Sequence, residues 1–212
     1  GDHEAEWVVS RLSAHRFERR TEFSDYAILY RSNYQARALE QQLRAQRIPY
    51  VISGGQSFFE RAEIKDIIAY LRLLTNQEDD PAFIRAVTTP KRGIGGTTLE
   101  ALGTAAGRRK QSLFATLLSP ALSDELPIRQ HTALREFAGF IQRMTQRAQT
   151  EPAGALLTTI IEAIGYEAWL FNALDTREAE TRWSNVSDFV QWIGRKGEEE
   201  NKTLLELAQT VA

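Results

Sequence analysis

A chain of 212 residues, 42% apolar and 25% charged, has the composition to bury a core and is too apolar to be disordered throughout. Its formal charge of −2 excludes a uniformly basic nucleic-acid coat, and the lack of any cysteine excludes disulfides and thiolate metal sites. No run approaches the roughly 18 apolar residues of a membrane span, and the start GDHEAEW has no apolar leader, so the expected setting is cytoplasmic and away from membranes.

In chain order, residues 4–20 place Trp7, Val8, Leu12 and Ala14 near one face and predict an amphipathic helix. Residues 26–30 (YAILY) form an apolar run without alternation, the pattern of a strand covered on both faces. Helical spacing returns over 34–46 through Ala38, Leu39 and Leu43, and 49–53 (PYVIS) reads as a second strand closed by Gly54 and Gly55. Strand, helix, strand predicts a parallel βαβ unit with a right-handed crossover. Two strands cannot make a covered sheet, so this unit reads as a partial α/β segment.

After Gly55 the strand signals stop. Residues 63–75 put Ile64, Ile67, Ile68, Leu71 and Leu74 on one stripe, and Asp80-Pro81 supplies an N-cap and a first-turn proline. Helices are predicted at 81–87, 97–107, 112–118, 127–149, 152–164, 166–174, 178–195 and 203–211, with a solvated break at 198–201 (EEEN). The fold class is therefore mainly α: an all-α domain preceded by a partial α/β segment, with a boundary near residue 78. The four tryptophans (Trp7, Trp169, Trp183, Trp192) fall on helical stripes and are expected in the core. His3, His15 and His131 show no ligand spacing, so no metal site is expected.

Between residues 81 and 120 stand six cations (Arg85, Lys91, Arg92, Arg108, Arg109, Lys110) and one anion (Glu100), the only clearly basic segment of the chain. It contains TTPKRGIGGTTLEAL at 88–102. Thr97 and Glu100 have capping-box spacing, which makes Thr97 the expected N-cap. Gly93, Gly95 and Gly96 permit positive φ and leave the backbone N–H groups uncovered. Open N–H groups leading into a helix N-terminus form an anion site, with Lys91 and Arg92 adding attraction. Such a site suits a nucleic-acid phosphate and reads no base. The alternative is a glycine-rich helix–helix turn with incidental charges. Arg108, Arg109 and Lys110 either extend a phosphate track or form a solvated helix end. No Lys-Ser/Thr follows the glycines, so this is not a G-x-x-x-x-G-K-[ST] nucleotide loop.

Helix, Pro-x-x-Gly-Ile-Gly, helix resembles the helix-hairpin-helix class of DNA-backbone binders. A DNA glycosylase of that class is disfavoured, because the first Asp after Gly95 is the distant Asp124 and residues 97–106 hold no Lys. Three stretches together, AILYRSNYQAR at 27–37, PYVISGGQSFFERAEIKDIIAYLRL at 49–73 and TPKRGIGGTT at 89–98, resemble the Rep/UvrD/PcrA group of superfamily 1 DNA helicases, and its Rep branch most.

The resemblance implies that residues 1–77 are part of a second RecA-like motor domain (2A). Residues 78–212 would then be most of an inserted helical domain (2B), with the chain stopping before that domain ends. The parent would be an ATP-dependent 3′–5′ DNA helicase of replication and repair, using ATP and Mg²⁺. This piece lacks the nucleotide loop and should be inert as an ATPase. By resemblance, Lys91, Arg92, Gly93, Ile94, Gly95, Thr97 and Thr98 would meet duplex phosphates ahead of the fork. Arg31, Asn33, Gln35 and Arg37 would lie on the single-strand side, with helix capping and surface charge as their alternative; Phe58 would stack a base there or pack, and packing is the preferred reading for Phe59. Glu63, Lys65 and Asp66 are read as a helix-start charge network. Expected partners are a single-strand/duplex DNA junction, the rest of the motor, and replication or repair proteins. The alternative function is a protein-interaction and autoinhibitory module with little DNA affinity, for which the acidic stretch after Gly165 is the motive.

Overall fold

The computed structural model describes residues 2–31, 33–53 and 57–211, without the side chains of residues 2, 33 and 34. It divides into two compact units, one through Arg61 with Val211 and one from Ala62 through Thr210.

The first unit holds helices α1 (Asp2–Arg19) and α2 (Asn33–Ala45) and two short 3₁₀ turns, Phe23–Asp25 and Phe58–Glu60. Its small core gathers Val9, Leu43 and Ile48, with Phe23, Leu39 and Tyr50 packed against them. The buried stripe of α1 runs through Ala5 and Val9, and Trp7 is 67% exposed, so the expected face is corrected by a rotation that turns Trp7 outward. The expected strands at 26–30 and 49–53 are also corrected. Both segments lie outside helices, but the described residues contain no strand. A parallel ladder needs sheet neighbours on each side, and here Leu29 and Val51 are 94% and 95% exposed. Gly54 and Gly55 lie outside the described residues.

The second unit is helical throughout: α3 (Ala62–Thr75), α4 (Asp80–Thr88), α5 (Gly96–Arg109), α6 (Leu113–Leu118), α7 (Ile128–Arg147), α8 (Ala153–Ala163), α9 (Tyr166–Ala173), α10 (Thr176–Glu200) and α11 (Leu204–Val211). Helix α3 is the spine of this unit. Every residue of its predicted stripe is buried, and it packs against α4, α7 and α10. That shared core explains why the compact division falls at Arg61, ahead of the boundary near 78 expected from the polar break.

Aromatic edges lock the centre: Phe83 meets Phe114 and Phe137 at ring-centroid distances of 6.3 and 5.8 Å. Elsewhere α8 and α10 approach through glycine, since a Cβ on Gly154 would lie 2.7 Å from the Gly194 Cα. No single helix among the described residues is long and apolar enough to cross a membrane.

Two caps differ from expectation. Asp79, not Asp80, caps α4 by accepting from the Ala82 N–H, and Asp80 instead accepts from the Leu113 N–H at 2.8 Å, tying α4 to the start of α6. Helix α10 runs through the expected break to Glu200, supported by a Lys196–Glu200 pair four residues apart, and ends at a left-handed Asn201.

Candidate nucleic-acid interface

Helices α4 and α5 flank the turn 89–95, entered through a cis Thr89–Pro90 bond. Only Gly93 has positive φ (+73°), so it alone among the turn glycines is demanded by the backbone. Gly95 is extended at φ −104°, ψ −179°, and it is the N-cap of α5. Thr97 therefore lies inside the helix, and its expected capping box with Glu100 is corrected: no side chain caps this end. The helix starts at Gly96, which leaves the N–H groups of the first turn (Gly96, Thr97, Thr98) without intrahelical partners. A Cβ added at Gly93, Gly95 or Gly96 would meet nothing within 4 Å, so the space over this end is open.

The neighbouring side chains divide sharply. Ile94 turns inward and is 8% exposed, pinning the turn to the core. Lys91 and Thr97 are exposed and Thr98 is half-buried. Lys91 has no partner among the described residues. Arg92 folds back on the end of α4, where its guanidinium meets backbone carbonyls and the Tyr70 hydroxyl. Uncapped amides, the positive end of a 14-residue helix and one outward lysine can hold an anion, and nothing here selects a base.

At the far end of α5 the basic tract is already engaged. Arg108 pairs with Glu125, and the Arg109 Nη2 lies 2.5 Å from the other Glu125 oxygen. The hydrogen bond from Arg109, reinforced by Arg108, holds the Glu125 carboxyl below the usual range. Lys110 takes a left-handed C-cap with φ 52°.

The second expected cluster lies in the first unit. The Arg31 N–H donates to the Gln35 Oε1 at 3.0 Å, closing the turn that enters α2. Asn33 opens α2, but its side chain lies outside the described residues. The Arg37 guanidinium lies 5.2 Å from the Phe58 ring centre. Phe58 is 4% exposed and edge-on to Phe59. Its backbone N–H donates to the Glu40 carboxylate, 3% exposed, whose pKa is raised by burial against the bonds from Ser57 and Phe58.

Glu63 and Asp66 form the network expected of them. Asp66 accepts from Arg85 at 2.8 Å and from the buried Tyr166 hydroxyl at 2.6 Å, and Glu63 accepts from Asn185 at 2.8 Å. Burial, then the Asp66 charge, drive the Tyr166 pKa far upward. These bonds tie α3 to α4, α9 and α10. Tyr70, one turn after Asp66, is the residue that sequence reasoning missed; its signal was a polar tip on an otherwise apolar stripe. No group of three metal-ligating side chains occurs among the described residues.

Residues 1–211 match the model of the UvrD-like helicase C-terminal domain. The chain belongs to that family. It is 46% identical over 193 residues to the ATP-dependent DNA helicase Rep of Salmonella typhimurium, covering 91% of this chain and 28% of that protein. Against Rep of Escherichia coli K12 the identity is 45% over 193 residues, with the same coverage. Against DNA helicase II of Escherichia coli K12 it is 35% over 187 residues, 88% of this chain and 26% of that protein. The chain thus spans about 28% of the length of the Rep proteins it matches. The turn 89–95 and the Arg31–Arg37 segment both lie within the matched UvrD-like domain.

Proposed function

We propose that this chain is the DNA-contacting part of an ATP-dependent 3′–5′ DNA helicase of replication and repair. In this reading residues 1–77 belong to the second RecA-like motor domain. Residues 78–212 form most of an inserted helical domain that grips duplex phosphates ahead of the fork through a helix-hairpin-helix-like turn. Lys91, Gly93, Gly95, Thr97 and Thr98 make that contact, with Ile94 seating the turn. Arg31, Asn33, Gln35 and Arg37 face the single strand.

The observation that carries the reading is the uncapped start of α5, with Gly95 and Gly96 left open where the chain's own packing does not require glycine. A backbone that must meet a phosphate closely has a use for that space. The family match and the names of the relatives supply the helicase context.

ATP and Mg²⁺ do not fit the residues present. The glycine-rich start of α5 is followed by Thr97 and Thr98 with no lysine, and no carboxylate cluster suited to a metal occurs among the described residues. The chain by itself is therefore expected to bind DNA without hydrolysing ATP. The test is equilibrium binding to a labelled DNA hairpin with a 3′ tail across a salt series, beside a Gly93→Ala/Gly95→Ala variant. Salt-sensitive binding that weakens in the variant supports the reading. Equal binding by both proteins removes the turn from the interface, and salt-insensitive capture of a protein partner by both would favour the interaction-module alternative.

A further inference from the structure

Lys91 and Arg92 are adjacent and equal in charge, yet they have opposite surroundings. Arg92 Nη1 donates to the carbonyls of Ala86 at 2.8 Å, Val87 at 3.2 Å and Pro90 at 2.9 Å. Its Nη2 donates to the Tyr70 hydroxyl at 2.5 Å, and the guanidinium carbon sits 5.0 Å from the Phe137 ring centre. Tyr70 is 1% exposed, and its oxygen lies 2.8 Å from the Ala86 carbonyl and 2.6 Å from that of Thr89, sharing one proton between them. Burial pushes the Tyr70 pKa up to about 12.

The carbonyls at the end of α4 carry the negative end of its dipole, and that of Ala86 accepts a long backbone bond, 3.4 Å, from the Thr89 N–H. A guanidinium fork matches several such acceptors at once, whereas an ammonium does not. Its bonds reach from the last turn of α4 to Pro90, spanning the entrance of the turn. Moving Arg92 out to a phosphate would strip these charge-assisted bonds and release the α4 end.

We propose that Arg92 is a positioning residue and not a phosphate ligand. With Tyr70 it latches the entrance of the turn to helix α4, and so aims the uncapped amides of α5. Lys91 is then the only one of the two cations that meets the backbone of a nucleic acid. The latch is a property of the free chain; its consequence for DNA rests on the duplex-contact reading above.

The test uses Arg92→Gln, Tyr70→Phe and, as comparison, Lys91→Ala, with helicity checked by circular dichroism. Amide hydrogen exchange of Thr89 and Leu99, whose N–H groups bond the Ala86 and Gly95 carbonyls on either side of the turn, is measured without DNA. The latch predicts exchange about tenfold faster in Arg92→Gln and Tyr70→Phe, the factor of one lost charge-assisted hydrogen bond, and unchanged in Lys91→Ala. Unchanged exchange in both latch variants overturns the proposal. Binding to the DNA hairpin adds a second readout. The salt slope should hold in Tyr70→Phe and Arg92→Gln while affinity falls several-fold, and should drop by about 0.9 in Lys91→Ala. A slope loss of about 0.9 in Arg92→Gln with full affinity in Tyr70→Phe makes Arg92 a direct ligand and overturns the proposal. If no protein in the set binds DNA, the duplex reading fails, and the exchange result still decides the latch. Tyr70→Phe, which removes one oxygen, keeps the test open should Arg92→Gln fail to fold.

Discussion

At its amino end helix α5 offers uncapped N–H groups, the positive end of its dipole, open space over Gly95 and Gly96, and Lys91 without a partner among the described residues. At its carboxyl end the same helix carries Arg108, Arg109 and Lys110, a denser positive run in the sequence. There the carbonyls and the negative dipole end face outward, and Glu125 already holds both arginines. The richer run of charge is thus the poorer anion site. What a phosphate meets is the charge left over after the fold has paired its own, together with the direction of the backbone.

The largest effect that breaks this contrast is expected from Gly93→Ala. A Cβ at φ +73° costs on the order of 1 kcal/mol, which lowers Tm by roughly 2–4 °C in a chain of this size, and DNA-hairpin affinity should fall at least tenfold. Calorimetry and a binding titration check both halves. Gly95→Ala separates the two consequences. Its backbone is ordinary and its Cβ meets nothing, so Tm should stay within about 1 °C while affinity falls about tenfold. A Gly95→Ala protein that binds as tightly as the parent would make the open space incidental.

Charge deletions sharpen the contrast further. Lys91→Ala should reduce the dependence of log K on log salt by about 0.9, the share of one phosphate contact, whereas the Arg108→Ala/Arg109→Ala pair should leave that slope unchanged. The smallest effect is expected from Glu125→Gln, which frees both arginines but not the backbone dipole. Affinity should rise about twofold, and the same salt titration reads it.

Much of this architecture was legible before the structure. The stripe Ile64–Leu74, with every residue buried, follows from helical spacing alone, and Glu63 and Asp66 showed their network as acids beside an apolar run. Four features were not legible, each for a physical reason. The YAILY and PYVIS runs carry strand propensity, but a strand exists only as a ladder, and propensity does not supply neighbours. The Thr97–Glu100 spacing fits a capping box, yet the N-cap lies two residues earlier, at Gly95, which carries Thr97 inside. Arg92 and Lys91 look alike in sequence because what separates them, the carbonyls of Ala86 and Val87 and the hydroxyl of Tyr70, comes from the end of one helix and the middle of another. Trp7 was assigned to the core on periodicity that Ala5 and Val9 satisfy instead.

The most direct test of the central claim is an amide-resolved NMR titration of the chain with a DNA hairpin carrying a 3′ tail. The account predicts that the amides of Gly95, Gly96, Thr97 and Thr98 shift first and furthest, while those of Arg108, Arg109 and Lys110 stay in place. Shifts concentrated at Arg108–Lys110, with Gly95–Thr98 unmoved, would contradict it.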